Sequence, residues 1–155
     1  MQPLKKLIND LEEIVAENEI GRPSWEDTYF EIARVVSKRS KDPHTKVGAV
    51  LVKEGKVIGI GYNGQPREYN YEFDWNSSEK YDYVIHAEMN AIANACSIGA
   101  NVKDSIIYLT TSPCCECIKL LMQFGIKEIH FINKYKDFEK MKKIASFSKI
   151  KLIER

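Results

Sequence analysis

The sequence predicts one α/β domain of three layers, a central mixed five-stranded sheet with helices on both faces. Two β-rich runs joined by a short glycine-containing connection open the sheet, and helical and strand patterns alternate after them. A chain of 155 residues that is 44% hydrophobic is long enough to bury a single core, so residues 1–155 are read as one domain.

From Leu4, the apolar residues Leu7, Ile8, Leu11, Ile14 and Val15 recur at helical spacing among charged ones, which predicts an extra amphipathic helix within residues 1–20. Gly21-Arg22-Pro23 breaks it. Ser24, answered by Asp27, resembles a capping box and opens a second helix whose apolar stripe is Trp25, Tyr29, Ile32 and Val36. Pro43 ends it, because the residue before a proline disfavours helical geometry. Residues 46–52 and 56–62, joined by Lys53-Glu54-Gly55, predict an antiparallel hairpin. Residues 63–83 are polar and aromatic without a steady period, and predict a long loop of the kind that carries function or moves.

A helix starts at Ile85 through Ala87, Ala91, Ile92 and Ala95, and stops near Gly99. Residues 105–111 form a strand. Cys114 and Cys117 open a helix carrying Ile118, Leu121 and Met122, ended by Gly125. A strand over 126–132, a helix over 138–147 and a short strand over 149–153 complete the alternation. There is no internal repeat or low-complexity segment.

Charge and cysteine usage narrow the function classes. With 23 basic and 22 acidic residues the chain has no global positive field to hold a long nucleic acid, so a small substrate is expected. No apolar run is long enough to cross a bilayer and no basic-then-apolar leader precedes the first helix, which predicts a cytoplasmic protein without a membrane partner. Three of the four cysteines lie within residues 114–117, a clustering that suits reduced thiols serving a metal better than disulfides. Cys96, at an apolar helical position, is read as core and Cys115 as packing. His44 and His130 have no partners at metal spacing.

The chemistry concentrates in His86-Ala87-Glu88 and, some 26 residues on, Pro113-Cys114-Cys115-Glu116-Cys117. One imidazole and two thiols make a three-ligand set for a single catalytic Zn²⁺ with a fourth position open to water. Both motifs open helices, where unsatisfied N–H groups favour thiolates. Glu88 stands two residues from the imidazole without being needed as a ligand, and so is placed to shuttle a proton. A lone Cys-X-X-Cys also occurs as a redox pair or half of a structural zinc site, and His-X-Glu arises by chance. Both in order, with the proline and each at a helix start, favour a catalytic site.

Beyond the zinc residues, several segments resemble deoxycytidylate deaminases of the zinc-dependent cytidine deaminase-like superfamily: Arg39-Ser40-Lys41-Asp42-Pro43, Val47-Gly48-Ala49, Gly59-Ile60-Gly61-Tyr62-Asn63-Gly64 with Pro66, His86-Ala87-Glu88-Met89-Asn90-Ala91-Ile92, Ser112-Pro113-Cys114 with Cys117, and Gly125-Ile126-Lys127-Glu128. The matches run from about Tyr29 to Tyr135. The resemblance implies the cytidine deaminase-like α/β/α fold and hydrolysis of dCMP to dUMP and ammonia, a supply of dUMP for thymidylate synthesis. Zinc-bound hydroxide would attack C4, with Glu88 as proton shuttle.

By the same resemblance Asn63 would hold the sugar hydroxyl, the backbone N–H of Ala87 the base carbonyl, Ser112 the exocyclic amine, and Tyr135 would stack on the ring. Arg39, Lys41 and Lys134 are the candidates for the phosphate. The family's regulated members bind dCTP and dTTP with Mg²⁺ beside the Gly-Tyr-Asn-Gly segment, which makes Tyr62, Gly64 and Arg67 the candidates for an effector. Here Arg67-Glu68-Tyr69-Asn70-Tyr71 replaces the glycine and acidic residues that follow in those members. A homo-oligomer, typically a hexamer, is implied too, with Ile118, Met122 and Phe124 as candidate contacts.

Two enzyme classes share the zinc chemistry and differ in pocket walls: deaminases of other cytosine compounds (dCTP, CMP, deoxycytidine) and of a tRNA adenosine. The near-zero net charge and absence of a basic tail speak against the tRNA. A catalytically silent, zinc-stabilised binding subunit is the alternative from another class, and a structural site has no use for Glu88.

Overall fold

The computed structural model describes residues 4–9, 21–69 and 71–155. Residues 4–9 are helical and exposed, and the rest of the helix expected over residues 1–20 lies outside the described residues. Among the described residues no helix is long and apolar enough to cross a membrane.

Helix α1, Trp25–Ser37, starts as the capping pattern predicts. The Ser24 hydroxyl oxygen accepts the Asp27 N–H at 3.0 Å and donates to the Asp27 carboxylate at 2.7 Å, satisfying a helix-end donor. Its buried face is Tyr29, Phe30, Ala33 and Val36. Trp25, expected on that stripe, is 67% exposed and stacks on Tyr29 at 5.9 Å, shielding that ring from outside the core.

Strands β1 (Gly48–Lys53) and β2 (Lys56–Tyr62) form the predicted antiparallel hairpin. Glu54 and Gly55 both have positive φ, 50° and 73°, the backbone that a tight two-residue hairpin turn requires. Strands β3 (Ile106–Thr111), β4 (Glu128–Asn133) and β5 (Lys151–Glu154) complete a five-stranded sheet of order β2-β1-β3-β4-β5. β1 runs antiparallel to both neighbours, while β3, β4 and β5 are parallel.

Alternation along the strands assigns the layers. Ala49, Leu51, Ile107, Leu109, Ile129 and Phe131 face one core, covered by α3 (Ala87–Ser97), α4 (Cys115–Gln123) and α5 (Phe138–Ala145). Val50, Val52 and Tyr108 face the other, against Tyr29, Phe30 and Ala33 of α1. Ile118, a candidate intersubunit contact, is fully buried in the first core; Phe124 is 39% exposed. Cys96, expected in the core, is exposed, because α3 buries Ala87, Glu88, Ala91, Ile92 and Ala95 and residue 96 turns away from that stripe.

The aperiodic stretch after β2 has an organisation that no period reveals. Gly64 and Ile85 exchange two backbone hydrogen bonds, of 3.1 and 2.9 Å, tying the residue before His86 to the end of β2. Tyr69, Tyr71, Phe73, Trp75 and Tyr83 pack ring against ring, with centroids 4.6–6.3 Å apart between successive partners. The stretch ends in a four-residue helix, α2 (Lys80–Tyr83).

Close approach of α3 to edge strand β2 sets the position of the helix that begins with Ala87-Glu88. A Cβ on Gly61 would stand 2.3 Å from the Ala91 nitrogen and 2.4 Å from the Ala87 carbonyl oxygen, both backbone atoms that cannot rotate aside. Asn90 and Asn94 donate from this helix to the Tyr62 and Ile60 carbonyls at 2.9 and 2.8 Å, so the edge strand's outward acceptors are satisfied. Gly61→Ala is expected to cost about 1–3 kcal/mol by overpacking. That lowers Tm by roughly 3–10 °C in thermal unfolding; an unchanged Tm would show that α3 shifts freely.

Candidate active site

β2, β3 and β4 end on the same side of the sheet, and the segments following them, with the first turn of α3, enclose one cleft. It encloses about 620 Å³ of space, the open solvent at its mouth included. His86, Ala87, Glu88, Asn63, Ser112, Cys114 and Tyr135, all singled out from sequence, line it.

The three expected ligands converge. His86 and Cys114 are the N-cap residues of α3 and α4, just outside the helices rather than within their first turns as expected, and extended backbone at both turns their side chains off the helix ends. His86 Nδ1 lies 3.5 Å from Cys114 Sγ and 3.4 Å from Cys117 Sγ. Zn–S bonds of about 2.3 Å and Zn–N bonds of about 2.0–2.1 Å in a tetrahedron demand an N···S edge of roughly 3.6 Å. The donor set therefore fits zinc, with three protein ligands of the correct kind and spacing. Among the described residues no other group of three His, Cys, Asp or Glu side chains converges in this way.

Electrostatics at the site are strongly coupled. Cys114 accepts hydrogen bonds from the Cys117 thiol, from His86 and from the Cys117 backbone N–H, and these pull its thiol down to about 3. The same sulfur–sulfur contact, with burial, pushes Cys117 up. The neighbouring Cys114 thiolate raises His86. Glu88 is 4% exposed, and burial is the main reason its carboxyl is raised above the ordinary range, with the Cys114 charge adding to it. A carboxyl whose neutral form is stabilised in a cleft is suited to alternate between base and acid.

Asn63 follows β2 and is 8% exposed. Its side-chain oxygen accepts the Val47 N–H at 2.8 Å, and its amide donates to the Thr45 carbonyl at 2.8 Å. It thus fastens the chain entering β1 and retains one lone pair and one N–H for a ligand. The Ser112 hydroxyl accepts the Tyr135 N–H at 2.9 Å, which couples the segments after β3 and β4.

Of the phosphate candidates, the structure brings none to the cleft. Arg39 and Lys41 are exposed, while Ser40 and Asp42 between and after them are 2% and 3% exposed, held inward by the Ser40 hydroxyl donating to the Asn63 carbonyl at 2.8 Å and by the Asp42–Lys80 pair. Lys134 pairs with Glu154 at 2.9 Å. Of the effector candidates, Tyr62 and Gly64 lie outside the cleft wall and Arg67 donates to Asn94 Oδ1 at 2.7 Å.

Seven residues that sequence reasoning did not select also line the cleft, among them Asp42, Thr45, Lys80 and Tyr81. The Asp42 carboxylate accepts the N–H groups of His44 and Thr45 at 2.9 and 3.1 Å and pairs with Lys80 at 2.8 Å. Burial alone would raise this carboxyl, but those three donors outweigh it and hold it below the ordinary range. The Asp-Pro step was visible as a helix stop; nothing in sequence marked its carboxylate as inward. His130 sits between Glu128 and Glu26, 3.1 and 3.2 Å away, apart from the cleft.

Comparison with known proteins agrees with this geometry. Residues 23–133 match the family described as the cytidine and deoxycytidylate deaminase zinc-binding region. A deoxycytidylate deaminase of Mus musculus is 43% identical over 124 residues, 74% of this chain and 68% of that protein. One of Homo sapiens is 42% identical, covering 73% and 67%. Among solved structures, a dCMP deaminase of the cyanophage S-TIM5 in complex with dCMP and dUMP superposes with a TM-score of 0.78 at 26% identity, covering 87% of this chain and 99% of that one.

Proposed function

Because this chain belongs to the zinc-dependent cytidine and deoxycytidylate deaminase family, we propose that it hydrolyses dCMP to dUMP and ammonia. The observation that carries the reading is one cleft holding a zinc-compatible His-Cys-Cys set beside a buried, non-ligand glutamate. His86, Cys114 and Cys117 would hold the metal. When bound, zinc supplies a Lewis acid able to lower the pKa of water to about 7.

The chain's own residues do the rest. Glu88 takes one proton of the attacking water and delivers it to ring N3. It then takes the remaining proton of the hydroxyl added at C4 and gives it to the amine, which departs as ammonia as the C4 carbonyl forms, so that one carboxyl serves as base and acid in turn. Its burial keeps bulk water from competing for those protons. Ala87, the first residue of α3, has an N–H with no intrahelical acceptor and offers it to the base carbonyl. Ser112 presents its backbone carbonyl to the exocyclic amine, and Asn63 its remaining amide donor to the sugar hydroxyl. Tyr135 stacks on the ring. A homo-oligomer and nucleotide effectors with Mg²⁺ belong to this reading as further proposals.

The substrate test compares dCMP, CMP, deoxycytidine, dCTP and a tRNA anticodon arm with the purified, zinc-loaded protein. dCMP is expected to give the highest kcat/KM by at least about tenfold. A comparable or higher value for deoxycytidine or the tRNA would move the reading to another branch of the family.

A further inference from the structure

We propose that Lys80 is the residue that recognises the 5′-phosphate of the substrate, giving up its partner Asp42 for the phosphomonoester when the nucleotide enters; this rests on the dCMP reading above. Among the described residues lining the cleft, Lys80 is the sole lysine or arginine. Its side chain is 13% exposed and that of Asp42 4%, so the pair is largely withdrawn from water. Removing two charges from water costs several kcal/mol each, which makes such a pair a weak contributor to folding and leaves a role in binding as the better account of it.

The hydrogen bonds around the pair suit an exchange of partners. Asp42 receives two backbone N–H bonds besides Lys80, so its carboxylate keeps partners when the ammonium leaves. Lys80 donates to Asp42 Oδ2 at 2.8 Å and lies 5.4 Å from the Tyr81 ring centroid, and a lysine has three N–H donors to give. A phosphomonoester dianion carries more charge and more acceptor oxygens than a carboxylate, and so competes well for them. The Lys136 ammonium, 6.0 Å from the same Tyr81 ring and 5.6 Å from that of Tyr135, adds a second positive charge near these two cleft residues.

The experiment measures kcat/KM for dCMP and for deoxycytidine, with zinc content and Tm, in wild type, Lys80→Gln, Lys80→Arg and Asp42→Asn. Lys80→Gln is expected to lower the dCMP-to-deoxycytidine preference about 100-fold, mainly through KM for dCMP. Lys80→Arg should restore it to within about tenfold. Asp42→Asn retains an oxygen for the two backbone donors but releases the ammonium, so it should keep or raise the preference. Because it leaves Lys80 in place, it tests the assignment even if Lys80→Gln does not fold.

A wild-type preference that survives Lys80→Gln overturns the assignment alone. So does equal loss of preference in Asp42→Asn and Lys80→Gln, which would mean that the pair only holds the fold. A wild type that deaminates no cytosine nucleotide overturns the underlying reading and this assignment with it.

Discussion

Glu88→Gln is expected to lower kcat for dCMP by about 10⁴-fold while the protein stays zinc-loaded. General acid–base catalysis by a positioned group contributes about 10²–10⁴-fold, and the upper end applies because the proposed mechanism routes every proton of the reaction through Glu88. Glutamine preserves shape and removes only the titrating oxygen. The buried setting makes the contrast sharp, since the carboxyl is 4% exposed and bulk water has no easy route to replace it. Ammonia release and metal content, measured on the same preparation, decide the matter. Residual turnover within tenfold of wild type would remove Glu88 from the proton path.

The second large effect is expected from the sulfurs. Cys114→Ala should lose zinc and with it all measurable deamination, and Cys117→Ala likewise. Cys114 has a second task, because its Sγ accepts the Cys117 N–H at 3.4 Å and caps α4. Alanine there also costs about 0.5–2 kcal/mol of helix-end stability. Cys115→Ala is the control: this half-buried sulfur packs against the core between the two ligands, and its variant should keep zinc and activity. Full zinc occupancy in Cys114→Ala would strike it from the ligand set, and zinc loss in Cys115→Ala would reassign it.

These residues were also the legible part of the sequence, for a physical reason. Ligand spacing and helix starts are local, so the candidate ligands in His86-Ala87-Glu88 and Cys114-Cys115-Glu116-Cys117, which the structure brings together, stand out within a few residues. The hairpin turn at Glu54-Gly55 and the helix stop at Gly125, φ 73°, are local in the same sense. The fold class followed from alternating periods, and the five strands appear within a few residues of their expected ends.

What stayed hidden depends on tertiary contact. Lys80 lies in a stretch whose packing is aromatic ring on ring, which leaves no period. Asp42 is adjacent to Lys41, and only its tertiary partner Lys80 and the turn back through His44 and Thr45 decide which of them faces inward. Cys96 and Trp25 were each one helical position or one turn from the buried stripe, a difference that periodicity does not resolve at helix ends. Charge type suggested Arg39 and Lys41 for the phosphate; side-chain direction took them away from the cleft.

The most direct measurement follows dUMP and ammonia formation from dCMP as zinc is titrated back into chelator-treated protein. The account predicts equal amounts of both products, formed at a rate that rises in proportion to bound zinc and saturates when each chain holds one ion. Full turnover by the zinc-free protein, or no dUMP at full occupancy, would contradict it.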